Sequence, residues 1–309
     1  MMTVNEIRAP VHIQDSGRYG YRHLGIGHAG AMDVLALKAG NLLLGNDEHA
    51  AALEIALGSL SVSFSRDTVF CLTGAFYQAF LDGLPVHSYW RYSARRGQTL
   101  RLVRAVQGMY GYLCVSGGFD VAEILGSRST DLKAAFGGFQ GRSLQAGDRL
   151  RLLDGKTQAK RIGIAPPARP PRIRLLPAAE YTAFSEAAHS GLVENGWLLR
   201  SDSNRMGYRF DGAELPLQQP LEMLSHAVCA GTVQVPPGGQ PIILMADAQT
   251  TGGYPKIACV AAADLGHLAQ TRFGSTVYFE TVSVAEARRL QQRNQIYLNQ
   301  IRRIVEDAD

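Results

Sequence analysis

Asp15-Ser16-Gly17-Arg18-Tyr19-Gly20-Tyr21-Arg22-His23-Leu24-Gly25 returns as Asp202-Ser203-Asn204-Arg205-Met206-Gly207-Tyr208-Arg209-Phe210-Asp211-Gly212, with seven identities in eleven positions. Core packing alone does not explain the reuse of polar residues at fixed spacing, so the stretch reads as one module written twice. Further along, Gly58-Ser-Leu-Ser-Val62 resembles Gly231-Thr-Val-Gln-Val235, and Gly97-Gln-Thr-Leu-Arg-Leu102 resembles Gly274-Ser-Thr-Val-Tyr-Phe279, each pair a turn glycine followed by a strand. The offset between copies shrinks from 187 to 173 and then 177, which places an insertion in the first copy. The simplest insertion is a helix over Asp33 to Leu44.

The rest of the chain agrees with two mainly β modules. At 309 residues it is long for one core and comfortable for two domains of about 150 residues. Short alternating or apolar runs dominate: Leu60 to Phe64, Val69 to Thr73, Leu100 to Val103, Tyr110 to Val115, Ile173 to Leu176, Thr232 to Val235, Ile242 to Met245 and Thr276 to Glu280. With 33 glycines and 13 prolines between them, the pattern is that of barrels or sandwiches. Helices are expected over Asp33 to Leu44, Ala178 to Ala188, Ala262 to Gln270 and Ser283 to about Glu306. The aperiodic, proline-rich and basic stretch Gly155 to Pro171 reads as a linker, giving domains 1–165 and 166–309, the second carrying the last helix.

Composition excludes several classes of function. A net charge of +4, with basic residues scattered and not interleaved with aromatics, argues against a nucleic-acid partner and leaves room for an anionic small molecule. No stretch approaches 18 uninterrupted apolar residues, and the N-terminus lacks a signal-peptide pattern, so a soluble cytoplasmic protein without a membrane partner is expected. Cys71, Cys114, Cys229 and Cys259 sit in apolar stretches without CxxC spacing and read as reduced core residues. No histidine pair has HxH or HxxxH spacing, so no metal site is expected, and no common phosphate loop or nucleophile elbow is present.

The densest polar stretch between two apolar strands is Met245-Ala-Asp-Ala-Gln-Thr-Thr-Gly-Gly-Tyr-Pro-Lys256. Gly252 and Gly253 would let backbone approach a ligand, Gln249, Thr250 and Thr251 offer donors and acceptors, and Lys256 supplies a cation for a carboxylate or phosphate. The alternative is a well-capped turn. Arg18 and Arg205 suit bidentate recognition of an anion, with Asp15 and Asp202 expected to hold them; the alternative is a buried Asp and Arg pair that shapes each module. Asn204 beside Arg205 makes the second copy the better ligand candidate. His28 precedes the Asp33 helix start, where backbone N–H groups favour anions, and His226 has a similar loop setting; a turn-structuring histidine is the alternative for both.

Taken together, Ile13-Gln-Asp-Ser-Gly-Arg-Tyr-Gly-Tyr-Arg22, Gly30-Ala-Met-Asp33, Asn41-Leu-Leu-Leu-Gly-Asn46, Ala52-Leu-Glu-Ile55, Leu72-Thr-Gly-Ala75, Gly117-Gly-Phe-Asp120, Ser127-Arg-Ser-Thr-Asp-Leu132, Ser203-Asn-Arg-Met-Gly-Tyr-Arg209, Gln234-Val-Pro236 and Asp247-Ala-Gln-Thr-Thr-Gly-Gly-Tyr-Pro-Lys256 resemble the biotin-dependent carboxyltransferase family, also called allophanate hydrolase subunit 2. The resemblance spans essentially the whole chain and implies two cyclophilin-like β-barrel domains. It also implies a companion B subunit, of the allophanate hydrolase subunit 1 family. In the branch that opens the lactam of 5-oxo-L-proline to L-glutamate with ATP and its Mg counter-ion, it implies a third component, the 5-oxoprolinase A subunit. Other members transfer a carboxyl group from carboxybiotin to urea, and others again are described as regulatory partners that sequester a homologue of the B subunit. The clustering of these groups makes Lys256, Arg205 and Asp247 the expected catalytic residues. Asn204, Tyr208, Gln249, Thr250, Thr251, Gly252, Gly253, Tyr254, Arg18 and His28 are expected to bind substrate or nucleotide. No lysine-bearing biotinyl context is present, so biotin enters only under the carboxyltransferase reading.

Overall fold

Alternation of apolar and polar residues makes Leu60–Phe64 a strand whose buried and half-exposed positions alternate along its length. The same logic repeats through both halves of a computed structural model that describes residues 1–309. Two units result. The first comprises Met1–Arg18, Ala29–Ala168 and Gln295–Asp309, and the second comprises Tyr19–His28 and Arg169–Asn294. Compared with the expected division into 1–165 and 166–309, Tyr19–His28 lies in the second unit, and Pro166–Ala168 and the end of the last helix lie in the first.

In the first unit the strands are β1 (Met2–Ile7), β2 (Val11–Gln14), β3 (Ala52–Ala56), β4 (Leu60–Phe64), β5 (Thr68–Leu81), β6 (Leu84–Val86), β7 (Arg91–Ala94), β8 (Thr99–Val115) and β9 (Arg149–Leu150). They form one sheet in the order β2-β3-β8-β4-β1-β9, with β5 paired to β6, β7 and β8. The runs expected as separate strands at Leu100 to Val103 and Tyr110 to Val115 are one strand. Its first half pairs with β4 and its second half with β3, and the change of partner falls near Gly108, which has a φ of 80°. Bulges in β5 between Gly74 and Ala79 take up the resulting bend.

The second half of β8 is buried throughout because helix α1 (Val34–Leu43) covers it. Asp33 caps this helix, accepting from the Ala36 N–H at 3.0 Å. The helix lies close to the sheet: a Cβ at Gly40 would stand 2.7 Å from Cys114 Sγ and 2.8 Å from Thr73 Oγ1. Only glycine fits there. Met2, Phe64, Phe70, Leu72, Leu100 and Leu113 fill the core on the other side, each such side chain contributing roughly 1.5–3 kcal/mol by burial.

The second unit contains β10 (Ile173–Pro177), α2 (Glu186–Glu194), β11 (Trp197–Leu199), β12 (Gly207–Asp211), β13 (His226–Ala227), β14 (Thr232–Gln234), β15 (Ile242–Leu244), β16 (Thr251–Gly252), β17 (Lys256–Val260), α3 (Leu265–Ala269), β18 (Thr276–Val277) and β19 (Phe279–Thr281). Its main sheet runs β18-β11-β12-β15-β14-β17-β10-β19. Only Tyr278 separates β18 from β19, yet these strands stand at opposite ends of the order, so the sheet closes nearly into a barrel. Trp197, Phe210 and Phe279 meet inside it, with ring centroids 6.4 and 5.8 Å from Phe279. The strands β13 and β16 form a separate two-stranded ladder.

The expected helix over Ala178 to Ala188 is displaced. Tyr181–Ala183 form a single tight turn, Phe184 is extended, and α2 starts only after Ser185, whose hydroxyl accepts from the Ala188 N–H at 3.1 Å. The last helix, α4 (Val284–Glu306), begins where expected, with Ser283 accepting from the Glu286 N–H at 3.1 Å and with Leu290, Leu298, Ile301 and Val305 buried. The protein is thus mainly β with four α-helices. The repeated motif itself folds differently in its two copies, a loop with a short 3-10 turn in the first and strand β12 in the second.

Candidate functional site

Strand β12 and strand β15 run antiparallel, with Gly207 opposite Leu244, and their pairing continues past both named ends. The Met245 N–H donates to Met206 O at 3.1 Å and the Asp247 N–H to Arg205 O at 2.9 Å. This register delivers Asp247 to Arg205. The guanidinium donates from Nε to Asp247 Oδ2 and from Nη2 to Asp247 Oδ1, both at 2.8 Å, in a largely buried bidentate pair.

The expectation that Asp15 and Asp202 hold the motif arginines is overturned in both copies. Asp202 pairs with Arg200 at the surface, because the tight turn closed by Asn204 and Gly207 sends Arg205 toward β15 instead. Asp15 accepts from the N–H groups of Gly17 and Arg128 and from the hydroxyls of Ser127 and Ser129. Arg18 donates to the carbonyls of Ile124 and Ser129 and lies 4.5 Å from the centre of the Phe136 ring. The first copy therefore fastens the 124–137 loop of its own unit.

Beyond Asp247 the chain forms the strap Gln249–Lys256. Its middle, β16, pairs with β13, so that His226 stands opposite Gly252 and Ala227 opposite Thr251. The Val228 N–H donates to Thr250 O at 3.1 Å. Arg22, from the Tyr19–His28 segment of the same unit, donates to Val228 O and, at 3.3 Å, to Gln249 O. The strap is held from both sides.

Lys256 is buried and begins β17 opposite Gln234. Its Nζ donates to Glu180 Oε2 at 3.3 Å and to Tyr254 O at 3.4 Å, and its backbone N–H donates to the same Glu180 oxygen at 3.0 Å. The other Glu180 oxygen lies 3.7 Å from His226 Nε2. Lys256, Glu180 and His226 thus form one chain of ionisable groups. Beneath the strap, the Gln234 Nε2 is buried without a hydrogen-bond partner, and a Cβ on Gly252 would come within 2.5 Å of it. An orphaned buried amide donor is costly, roughly 1–3 kcal/mol, and invites an acceptor.

Of the expected site residues, the structure brings together Asp247, Gln249, Thr250, Thr251, Gly252, Gly253, Tyr254 and Lys256, with Arg205 fixed to the first of them. Thr251 and Tyr254 are exposed. Asn204 uses its side chain to accept from the Met206 N–H at 2.8 Å and shapes the turn. Tyr208 is fully buried and donates to Ala269 O at 2.9 Å, a core position. His28 packs edge-on against Tyr19 with ring centroids 4.2 Å apart. Arg18 belongs to the other unit. Sequence reasoning missed Glu180, Gln234 and Arg22, and left His226 open between a site residue and a turn-structuring histidine. Gln234 carried a signal in its Gln-Val-Pro setting, whereas nothing near Glu180 marks it out.

Two concavities of about 430 and 530 Å³ lie in the first unit and contain none of the expected site residues. Lys156 and Arg128, which line the first of them, are paired with Asp309 and Glu123. The Gln249–Lys256 strap is marked instead by the orphaned Gln234 amide beneath it and by the linked Lys256, Glu180 and His226. No cluster of histidine, cysteine or acidic side chains is arranged to hold a metal ion, and no helix is long and apolar enough to cross a membrane.

Comparison with known proteins adds relatives to this geometry. The sequence profile of the family described as carboxyltransferase domain, subdomain A and B, matches residues 24–281. The chain is 56% identical to the 5-oxoprolinase C subunit of Haemophilus influenzae over 309 residues, which is all of both chains. It is 47% identical to the protein of the same name from Escherichia coli over 96% of each. Among solved structures, the Kluyveromyces lactis urea amidolyase superposes with a TM-score of 0.89 at 26% identity, covering 97% of this chain and 20% of that one.

Proposed function

We propose that this chain, which belongs to the carboxyltransferase domain, subdomain A and B, family, is the C subunit of a 5-oxoprolinase. The observation that carries the reading is 56% identity to a protein of that name along the full length of both chains. In this reading the complex is a cytoplasmic, ATP-dependent hydrolase that opens 5-oxo-L-proline to L-glutamate. It is completed by a B subunit of the allophanate hydrolase subunit 1 family and by the 5-oxoprolinase A subunit.

A lactam resists water because its nitrogen lone pair is delocalised onto the carbonyl oxygen. ATP, when bound, supplies the phosphoryl group that makes this oxygen a better electron sink. Arg205 and Lys256 are each balanced by a carboxylate, and Arg22 is engaged with the Val228 and Gln249 carbonyls, so this reading does not place a triphosphate with its magnesium here. What this chain contributes is a set of donors for an amide-derived oxygen. Lys256 directs two of its three N–H bonds to Glu180 and Tyr254 O and has a third for a ligand, and the strap amide at Gly253 lies nearby in sequence. Glu180 and His226 provide the linked groups through which a proton can pass.

A second reading, transfer of a carboxyl group from carboxybiotin to urea or a related amide, draws on the likeness to urea amidolyase. The two share an amide substrate and the need to stabilise charge on its oxygen. Copurification with the A and B subunits, followed by assay of 5-oxoproline-dependent ATP hydrolysis, tests the proposal. Turnover that requires biotin and bicarbonate supports the second reading. Complex formation without either turnover supports a regulatory partner that sequesters the B subunit.

A further inference from the structure

Two of the four cysteines depart from the expectation of inert core thiols. Cys71 and Cys114 are buried opposite one another in the β5–β8 pair, and burial pushes the Cys71 thiol up. Cys229 is exposed and Cys259 is half-buried. Cys229 opens the turn into β14: its backbone N–H donates to Thr232 Oγ1 at 3.3 Å, and its Sγ lies 3.6 Å from the same oxygen. Thr232 is the register partner of Cys259 on β17. The hydroxyl that holds Cys229 therefore stands directly across the ladder from Cys259. Within that turn Gly231, with a φ of 90°, leaves space over Cys259, whose Sγ would be 3.4 Å from a Cβ at this position.

We propose that Cys229 and Cys259 form an oxidisable dithiol, with Cys229 as the nucleophile toward a hydroperoxide and Cys259 as the resolving thiol. The Cys229 thiolate attacks one peroxide oxygen and the O–O bond breaks. Cys229 becomes a sulfenic acid, and the other oxygen leaves as an alcohol, or as water from hydrogen peroxide, after taking a proton from solvent. The Cys259 thiol then attacks the sulfenic sulfur, the S–O bond breaks, and water leaves as the disulfide forms. Two electrons pass from the two sulfurs to the peroxide.

The surroundings favour this polarity. The neighbouring Cys259 thiol, with further help from the Thr232 hydroxyl and the Arg22 cation, outweighs burial and draws the Cys229 thiol down. Cys259, whose thiol donates to Val260 O at 3.7 Å, is pushed up by the adjacent Cys229 and by burial and stays protonated. The dithiol is also joined to the candidate site at both ends. Cys229 follows Val228, which is bonded to Thr250 and Arg22, and Cys259 lies on the strand that Lys256 begins. A disulfide would fasten the β13–β16 ladder to the barrel wall.

The test uses the full chain with graded hydrogen peroxide, a maleimide quench and peptide mass mapping. The expected result is an intramolecular Cys229–Cys259 disulfide, with alkylatable thiols in the unfolded protein falling from four to two and Cys71 and Cys114 retained. In Cys259→Ala, a dione probe should trap a sulfenic acid at Cys229; in Cys229→Ser, Cys259 should remain a thiol. Recovery of all four thiols at peroxide doses that oxidise free glutathione, a disulfide joining any other pair, or trapping at Cys259 instead of Cys229 would overturn the proposal.

Discussion

Arg205 and Asp247 meet in a bidentate pair, 2.8 Å at each oxygen, 42 residues apart in sequence and almost out of contact with solvent. The pair clamps the end of β15 to the turn before β12, and the Gln249–Lys256 strap starts from that clamp. Removal of Arg205 leaves the largely buried Asp247 carboxylate uncompensated, which costs about 3–5 kcal/mol. Arg205→Ala should lower stability in urea by that order, and the Arg205→Ala/Asp247→Ala double variant by clearly less than the sum of the two single losses. Additive losses would show that the two side chains act independently.

Under the proposed function, Lys256 is the cation that would meet a reacting oxygen. Lys256→Met should lower 5-oxoproline-dependent ATP hydrolysis by the assembled complex by about 10²–10³-fold, the usual scale for loss of one donor to a developing anion. Copurification with the companion subunits should be unchanged. Single-turnover assay of purified complex separates these outcomes, and an unaltered rate would remove Lys256 from the chemistry.

Gly252 is needed because the Gln234 amide occupies the space a side chain would take. Gly252→Ala should cost about 1–3 kcal/mol by overpacking, and Gln234→Ala in the same chain should recover much of that loss. Chemical denaturation of the two single variants and the double variant measures the coupling.

In the first unit Asp309 is held by Arg91 and Lys156, and the Arg91 hydrogen bond, ahead of Lys156, draws its carboxyl below the usual range. Because the folded value lies below the unfolded one, the stabilisation is full above the unfolded pKa of about 3.9 and fades as pH falls toward the folded value. Asp309→Asn should therefore flatten the acid side of the stability profile below about pH 5 and lower stability at neutral pH. A mutant curve parallel to wild type through that range would contradict the assignment.

Much of this fold was legible because periodicity and turn residues act locally. Leu60 to Phe64 is a strand with the expected limits, and Asp33 and Ser283 start their helices through side-chain caps visible in sequence. Long-range pairing was not legible. Asp202 looked like the natural partner of Arg205, being its neighbour in the motif, but strand register assigned that role to Asp247. Glu180 is likewise adjacent to Lys256 only through the folding of its unit, since 76 residues separate them. Tyr208 repeats within a polar motif yet serves the core, because alternation along β12 turns it inward.

The most direct measurement is L-glutamate formed from 5-oxo-L-proline and ATP by the purified A and B subunits, with and without this chain. The account predicts that glutamate appears in step with ATP hydrolysis only when this chain is present. Equal glutamate formation in its absence would contradict it.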